Sequence, residues 1–426
     1  SGSKTVGNSP AGSPGLFTPT ASPVRAHASH FEEDGYYSTP YLHFTHMQAP
    51  KETHVADVDV DPVSGRKIIN EYEILDELGR GAHGKVKLGR SLTTSTFVAI
   101  KIVERYAKKR RLGKLGNTED KVKKEVAILK KARHPNIVAL LEVIDDPARK
   151  KVYIVLEWVQ RGEITWRTRC PKALALLEAR RYLRHSPEEL LDAELHDDLI
   201  YVPCLSFAAA RVAFRDTVLG IEYLHYQGII HRDIKPPNLL QTVDHHIKIS
   251  DFGVSYLGRP IHDDGTDDSE TDVQDVKFDE ARELAKTVGT AAFYAPELCH
   301  TDPDVESPPV TAQIDVWALG VTLFCLIFAR TPFVDNEFVI MKNIAEKDVY
   351  IPTKRLKPIE PEASSRPSSQ VGFTPFLNTK RRQEYERAYE DLDEDLYDLL
   401  RRLFIKDPSR RITLTEVKHH PWVLRD

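Results

Sequence analysis

The sequence predicts an α+β chain: a small region of antiparallel strands followed by a larger, mainly helical one. Three observations predict it. Short strand-forming runs cluster early, at Tyr72-Glu73-Ile74-Leu75, Val86-Lys87-Leu88, Phe97-Val98-Ala99-Ile100-Lys101 and residues 152–159. Long apolar patterns come later, over Phe207–Tyr226 and residues 316–329. Asp233, Lys235, Asn238 and Asp251 stand close together in sequence, between the apolar runs Ile229-Ile230, Leu239-Leu240, Ile247 and Ile249.

The chain has 426 residues, 41% of them hydrophobic, enough for a large core. A formal net charge of −5 gives no bulk electrostatic case for nucleic acid or a membrane surface. Cys170, Cys204, Cys299 and Cys325 make no metal-like or paired spacing, which fits reduced thiols in a cytoplasmic protein. The apolar run 316–329 contains Thr322 and is too short to span a bilayer, so it reads as a buried helix. There is no N-terminal apolar segment of the secretory kind.

Residues 1–66 are rich in Ser, Thr, Pro, Gly and His without sustained periodicity, and read as a disordered tail. Ser9, Ser13, Thr18, Ser22 and Thr39 each precede a proline; such pairs are common in polar tails and are also what proline-directed kinases modify. Order is expected from Tyr72. A glycine turn follows: Leu78-Gly79-Arg80-Gly81-Ala82-His83-Gly84-Lys85-Val86. Its glycines let backbone close over a phosphate where a Cβ would obstruct. The same spacing opens dinucleotide-binding units, but those need a helix directly after the last glycine. Here strand-like residues follow instead. Lys101 ends the third strand pattern, either as an edge lysine or as a phosphate ligand. Residues 124–131 form an amphipathic helical pattern that includes Glu125. The basic run 108–114 reads as a solvated face or a docking patch for an acidic partner.

His231-Arg232-Asp233-Ile234-Lys235-Pro236-Pro237-Asn238 and Asp251-Phe252-Gly253 together have the groups phosphoryl transfer needs. One carboxylate orients an attacking hydroxyl, and a second carboxylate with an amide oxygen holds Mg²⁺ against phosphates. With these motifs the sequence resembles the eukaryotic protein kinases over about residues 72–424. The resemblance implies a bilobal fold, with a five-stranded antiparallel sheet plus one helix (70–158) and a mainly helical lobe (159–424). It also implies ATP and Mg²⁺, with Asp233 orienting the hydroxyl, Lys235 and Lys101 stabilising phosphate charge, and Asn238 and Asp251 binding the metal. Glu125 would orient Lys101, and Thr290 would bond Asp233 and Lys235. Backbone groups of Glu157 and Val159 would read the adenine edge. Val86, Ala99 and Leu240 would sandwich the ring, and Glu163 would meet the ribose. Glu297 would pair with Arg411, and Asp315 would hold the His231-Arg232 backbone. Against the family pattern, insertions fall near 165–203, 262–284 and 354–380; the first includes a helix-start pattern at Ser186.

Lys235, two residues after Asp233, marks serine/threonine rather than tyrosine specificity within that family. Gly220-Ile221-Glu222-Tyr223-Leu224-His225, Thr287-Val288-Gly289-Thr290 and Asp315-Val316-Trp317-Ala318-Leu319-Gly320 resemble the calcium/calmodulin-dependent protein kinase kinases. The glycine turn resembles their fungal members, which act upstream of AMP-activated kinases. The substrate implied is a threonine in another kinase's activation loop. A calmodulin-binding segment, where that family has one, normally lies beyond the kinase fold. Cys325 stands where related basophilic enzymes often carry a glutamate, which argues against a simple arginine-directed peptide motif. Arg232 would normally meet a phosphothreonine, but the usual position before Thr290 is Lys286, with Thr287 one residue off. The expectation is an enzyme that does not require phosphate there, with the acidic run 263–280 supplying anionic charge. Two alternatives stand beside the kinase reading. A silent scaffold would be favoured by loss of Lys101, Asp233, Asn238 or Asp251, all of which are present. A nucleotide-binding oxidoreductase has nothing beyond the glycine turn to support it.

Overall fold

The computed structural model describes residues 49–81, 84–105, 118–169, 201–258, 283–299, 308–358 and 389–425. It divides into two compact units, one of residues up to 134 with 138–158, the other of 135–137 with 159 onwards.

The first unit is one sheet and one helix. Its strands are β1 (Lys51–Thr53), β2 (Val58–Val60), β3 (Lys67–Ile69), β4 (Tyr72–Gly81), β5 (Gly84–Ser91), β6 (Phe97–Glu104), β7 (Leu140–Asp145) and β8 (Lys151–Glu157). They lie in the order β1-β7-β8-β6-β5-β4-β3-β2. All pairs are antiparallel except β1 with β7, which run parallel. The expected five strands are therefore eight, and order begins well before Tyr72. The reading of residues 51–66 as tail is corrected by strands β1 and β2 and by the packing of Ala56 and Val58. Ala56 and Ile69 are core residues packed with Tyr72, Val98, Ile100, Ile144, Tyr153 and Val155, and Val58 packs against that cluster. Burying those groups offsets the cost of ordering the segment. Residues 1–48, with the five proline-directed positions, lie outside the described residues, as do Ala82, His83 and the basic run 108–114.

Helix α1 (Thr118–Lys131) has acids in its first turn and lysines in its last, both favourable to the helix dipole. Val122, Glu125, Val126 and Leu129 recur at helical spacing and are all buried. Glu125 is the charged residue on that stripe, so the fold must supply it a cation.

The second unit is built on α2 (Phe207–Tyr226) and α3 (Gln313–Phe328). Ser206 caps α2 by accepting from Ala209 N–H. Helix α3 is the apolar run of the sequence, buried along nearly its whole length, and ends at Ala329 in the left-handed region. Trp317 of α3 meets Phe404 edge-on at 5.3 Å, just after α5 (Glu394–Leu403). Helix α4 (Glu337–Glu346) precedes it, and α6 (Leu414–Lys418) and α7 (Pro421–Leu424) close the chain, with Trp422 fully buried. Among the described residues no helix is long and apolar enough to cross a membrane.

Four short ladders complete this unit. The ends of the first insertion pair as β9 (Arg167–Arg169) with β10 (Tyr201–Pro203), while Ser186 lies outside the described residues. β11 (Ile229–Ile230) pairs with β14 (Tyr256–Leu257), and β12 (Leu239–Gln241) with β13 (Ile247–Ile249). β15 (Lys354–Leu356) pairs with β16 (Tyr389–Asp391), so the insertion near 354–380 opens as a strand. Arg355 explains that strand. It is buried, donates to Glu390 at 2.7 Å and to the Leu205 carbonyl at 3.1 Å, and lies over the Phe207 ring.

Candidate active site

In the first unit the strand register puts the nucleotide candidates on one face. Lys101 is opposite Val86 on β5 and Ile154 on β8; Ala99 is opposite Leu88 and Leu156. Side chains alternate along a strand, so Val86, Ala99, Lys101 and Leu156 share a face while Val98 and Ile100 fill the core behind. Lys101 Nζ lies 2.5 Å from Glu125 Oε1, both side chains nearly buried. The cation that Glu125 needs is thus Lys101. Leu78, Gly79, Arg80 and Gly81 end β4, and Gly84, Lys85 and Val86 begin β5. Gly84 has φ +141°, and a Cβ there would fall 2.4 Å from the Ile102 carbonyl oxygen, so only glycine fits. At the unit's end, Glu157 N–H donates to the Ala139 carbonyl at 2.9 Å.

In the second unit Val159 is buried and its carbonyl accepts from Gly162 N–H. Among the described residues its own N–H finds no acceptor. Glu163 is exposed and bridges to Leu240.

The catalytic candidates converge in this unit. Asp233 Oδ1 accepts from the Thr290 hydroxyl at 3.1 Å, and Asp233 Oδ2 lies 2.8 Å from Lys235 Nζ. Lys235 Nζ also donates to Thr290 Oγ1 at 2.7 Å. Asn238 Nδ2 donates to the Asp233 carbonyl at 2.7 Å and to its Oδ2 at 3.0 Å. Both amide hydrogens are thereby used, leaving the Asn238 amide oxygen as its acceptor. Lys235 is extended, as a residue before proline prefers, and Pro236–Asn238 make one 3₁₀ turn that swings the amide back to Asp233. Leu239 of β12 stands opposite Ile249 of β13, and Ser250 N–H donates to the Asn238 carbonyl. The open end of this hairpin therefore carries Asn238 on one strand and exposed Asp251 just past the other.

Two non-glycine residues here occupy the left-handed region, Arg232 at φ +66° and Asp251 at φ +62°. Such backbone persists only where its surroundings hold it. Asp315 does so for the first: its carboxylate accepts from His231 N–H and Arg232 N–H, each at 2.8 Å, and meets His225 Nε2 at 2.8 Å. Burial pushes the Asp315 carboxyl upward, but the His225 bond, the electrostatic influence of the His225 and His231 rings and the His231 N–H outweigh it and hold it below the ordinary range. Gly289, at φ +101°, lies so close that a Cβ would stand 2.6 Å from the Arg232 carbonyl oxygen and 3.0 Å from Asp233 Oδ1. Glu297 meets Arg411 through two bonds of 2.8 and 2.9 Å.

One contact was not anticipated. Arg232 pairs with Glu283, whose Oε1 is 3.6 Å from Arg232 Nη2. The acidic run 263–280, expected to supply charge, lies outside the described residues.

These motifs can be compared with known proteins. Residues 72–423 match the protein kinase domain family. The chain belongs to the protein kinase family. This kinase is 44% identical over 377 residues to the serine/threonine-protein kinase ssp1 of Schizosaccharomyces pombe, covering 88% of this chain and 46% of that one. It is 39% identical over 395 residues to SNF1-activating kinase 1 of Saccharomyces cerevisiae, covering 88% and 30%. It is 32% identical over 375 residues to the calcium/calmodulin-dependent protein kinase kinase of Caenorhabditis elegans, covering 84% and 53%. These relatives agree with the branch that the motifs resemble. The kinase spans from under a third to about half the length of the curated relatives named here. Membership of the family implies ATP, a divalent cation and protein substrates.

Proposed function

We propose that this kinase transfers the γ-phosphate of ATP to serine or threonine hydroxyls, with Mg²⁺ as its metal, and that its target is the activation loop of a downstream kinase. The observation that carries the reading is the closed set Asp233, Lys235, Thr290 and Asn238, tied by contacts of 2.7 to 3.1 Å. Asp233 is held on both oxygens, so its carboxylate is pre-aimed rather than searching. In transfer it accepts and orients the incoming hydroxyl, and Lys235 beside it neutralises the phosphoryl oxygens. Thr290 fixes both and belongs to the segment the substrate chain would pass. Lys101, oriented by Glu125, bridges the α- and β-phosphates.

The metal candidates fit a hard cation. Asn238 offers an amide oxygen and Asp251 a carboxylate at the same hairpin end, the donor type Mg²⁺ takes one or two of while keeping water and phosphate oxygens. When bound, the ion supplies neutralisation of charge on the β- and γ-phosphates. The Val159 N–H suits the adenine edge for the same kind of reason: it belongs to a buried residue and, among the described residues, it has no acceptor.

Substrate class rests on likeness and on one position. SNF1-activating kinase 1 is, by its name, a kinase that activates a further protein, SNF1. Cys325 is fully buried in α3, so it offers no charge to an arginine-bearing peptide. Recognition of a folded partner by docking fits both facts. The test is transfer of label from [γ-³²P]ATP to a catalytically inactive AMP-activated-type kinase domain, followed by mapping of the labelled residue. Asp233→Asn should lower transfer by roughly 10²–10⁴-fold while Mg-ATP still raises its melting temperature. Equal turnover by that variant would refute the role, and label confined to sites outside the activation loop would refute the substrate class.

A further inference from the structure

The environment of Arg232 contains an answer to how this kinase holds its activation segment. The guanidinium is almost wholly buried. Its Nε donates to the Val254 carbonyl at 2.7 Å and its Nη1 to the Glu283 carbonyl at 2.8 Å. Burial lowers its proton affinity, and the Glu283 carboxylate works against that shift. Among the described residues Glu283 is the carboxylate within ion-pair range of Arg232. Glu283 also meets Lys286, so it stands between two cations. Buried arginine without an anion is costly, and here the anion comes from the chain itself.

Six residues further on, the same segment is held a second time. Gly289 lies against the Arg232 carbonyl, and Thr290 bonds Asp233 and Lys235. Thr287 lies between the two anchors and is exposed. We propose that Glu283 is a positioning residue that takes the place of an activation-segment phosphate: by occupying Arg232 it holds residues 283–290 in register with Asp233 whether or not Thr287 is phosphorylated. This rests on the phosphotransfer reading above. It differs from the sequence expectation in placing the charge on one residue beside Arg232 rather than in the acidic run.

The experiment uses the full chain, treated with a protein phosphatase and shown by mass spectrometry to be free of phosphate, then assayed with Mg-ATP and a protein substrate. The treated enzyme and Thr287→Ala should both stay within about twofold of the untreated enzyme. Glu283→Gln should lose about tenfold or more in kcat/KM for the protein substrate, with KM for ATP changed less than about twofold. Glu283→Asp should recover most of the loss. In an Arg232→Gln background, Glu283→Gln should cost less than about twofold further, because the partner is already gone. Hydrogen exchange should quicken at residues 284–290 of Glu283→Gln and be unchanged in α3. Normal turnover by Glu283→Gln overturns the proposal. So does loss of activity on dephosphorylation or in Thr287→Ala, and these two results stand even if Glu283→Gln folds poorly. If the untreated enzyme transfers no phosphate, the phosphotransfer reading itself fails and the anchor falls with it; if it does transfer and Glu283→Gln matches it, the anchor alone fails.

Discussion

Lys101–Glu125 and Arg411–Glu297 are both buried ion pairs of this kinase, and they are built for opposite purposes. Arg411 spends all five of its N–H donors inside the protein. Nε goes to the Ile405 carbonyl, Nη1 to Glu297 and the Gln313 carbonyl, and Nη2 to Glu297 and the Lys406 carbonyl, at 2.8 to 2.9 Å. Both side chains are fully excluded from solvent. Lys101 is instead a point charge on a flexible stem, meeting Glu125 from the middle of β6, on a strand face shared with the partly exposed Val86 and Ala99. Planar and saturated describes a joint; compact and rotatable describes a group that can share its charge with a ligand. An ion pair's burial therefore does not say whether it is structural. The shape and stiffness of the cation say more.

The largest effect that would break this comparison is on the joint. Arg411→Met with Glu297→Gln leaves the Ile405, Gln313 and Lys406 carbonyls without their donor. Each orphaned acceptor costs about 1–3 kcal/mol, so the pair of substitutions should lower unfolding free energy by at least about 3 kcal/mol in urea titrations. Wild-type stability in that variant would mean the joint is dispensable. Lys101→Met with Glu125→Gln is the counterpart. Turnover should fall roughly 10²–10³-fold, while stability moves by less than about 1 kcal/mol, since both charges leave together. A large loss of stability there would erase the distinction between the two pairs.

A third buried carboxylate sharpens the point. Glu142 on β7 accepts from the Tyr72 hydroxyl at 2.8 Å and from Thr53, and lies 3.4 Å from Lys51 Nζ. Burial first, then the bond to Glu142, raises the Tyr72 hydroxyl's pKa far above its ordinary value. Tyr72→Phe should cost about 1–2 kcal/mol of stability and leave turnover unchanged, because Glu142 acts as a joint for the N-terminal strands. A drop in turnover at constant stability would give Glu142 a different role.

Particular strands and carboxylates show which parts of the molecule can be read from sequence. Strands β4, β5 and β6 declare themselves through the strand-forming runs at residues 72–75, 86–88 and 97–101, within elements of eight to ten residues. The Asp233, Asn238 and Asp251 group is dense enough in sequence to imply its chemistry. The partners of Glu297 and Asp315 came only through family likeness, because more than eighty residues separate each from its contacts. Strands β1 and β2 are three residues each, too short for a period to show, and β1 pairs with a strand some ninety residues on. Their polar, proline-rich context looks like tail until Ala56 and Val58 are seen against the core. Glu283 was hidden for a different reason. It follows a stretch of many acids, and nothing local distinguishes the one that meets Arg232.

The smallest effect concerns acid. Asp315 is held below the ordinary carboxyl value of 3.8 in the folded state. A carboxyl whose folded pKa is depressed binds its proton more readily in the unfolded chain. Its stabilisation is therefore full above about pH 4 and is lost as pH falls through the lowered folded value. Asp398 works in the same direction: burial pushes its carboxyl up, but bonds and charge from His420 and Arg402 outweigh that. Stability measured at successive pH values should fall below about pH 4 with a slope that is shallower in Asp315→Asn, which has no proton to take up there. The neutral amide should also be less stable than the parent at pH 7, since one of its two polar atoms can no longer accept where Asp315 accepted from both His231 and Arg232 N–H. An unchanged acid slope in Asp315→Asn would place the acid sensitivity on other carboxylates and leave Asp315 as a geometric support for the strained Arg232 backbone alone.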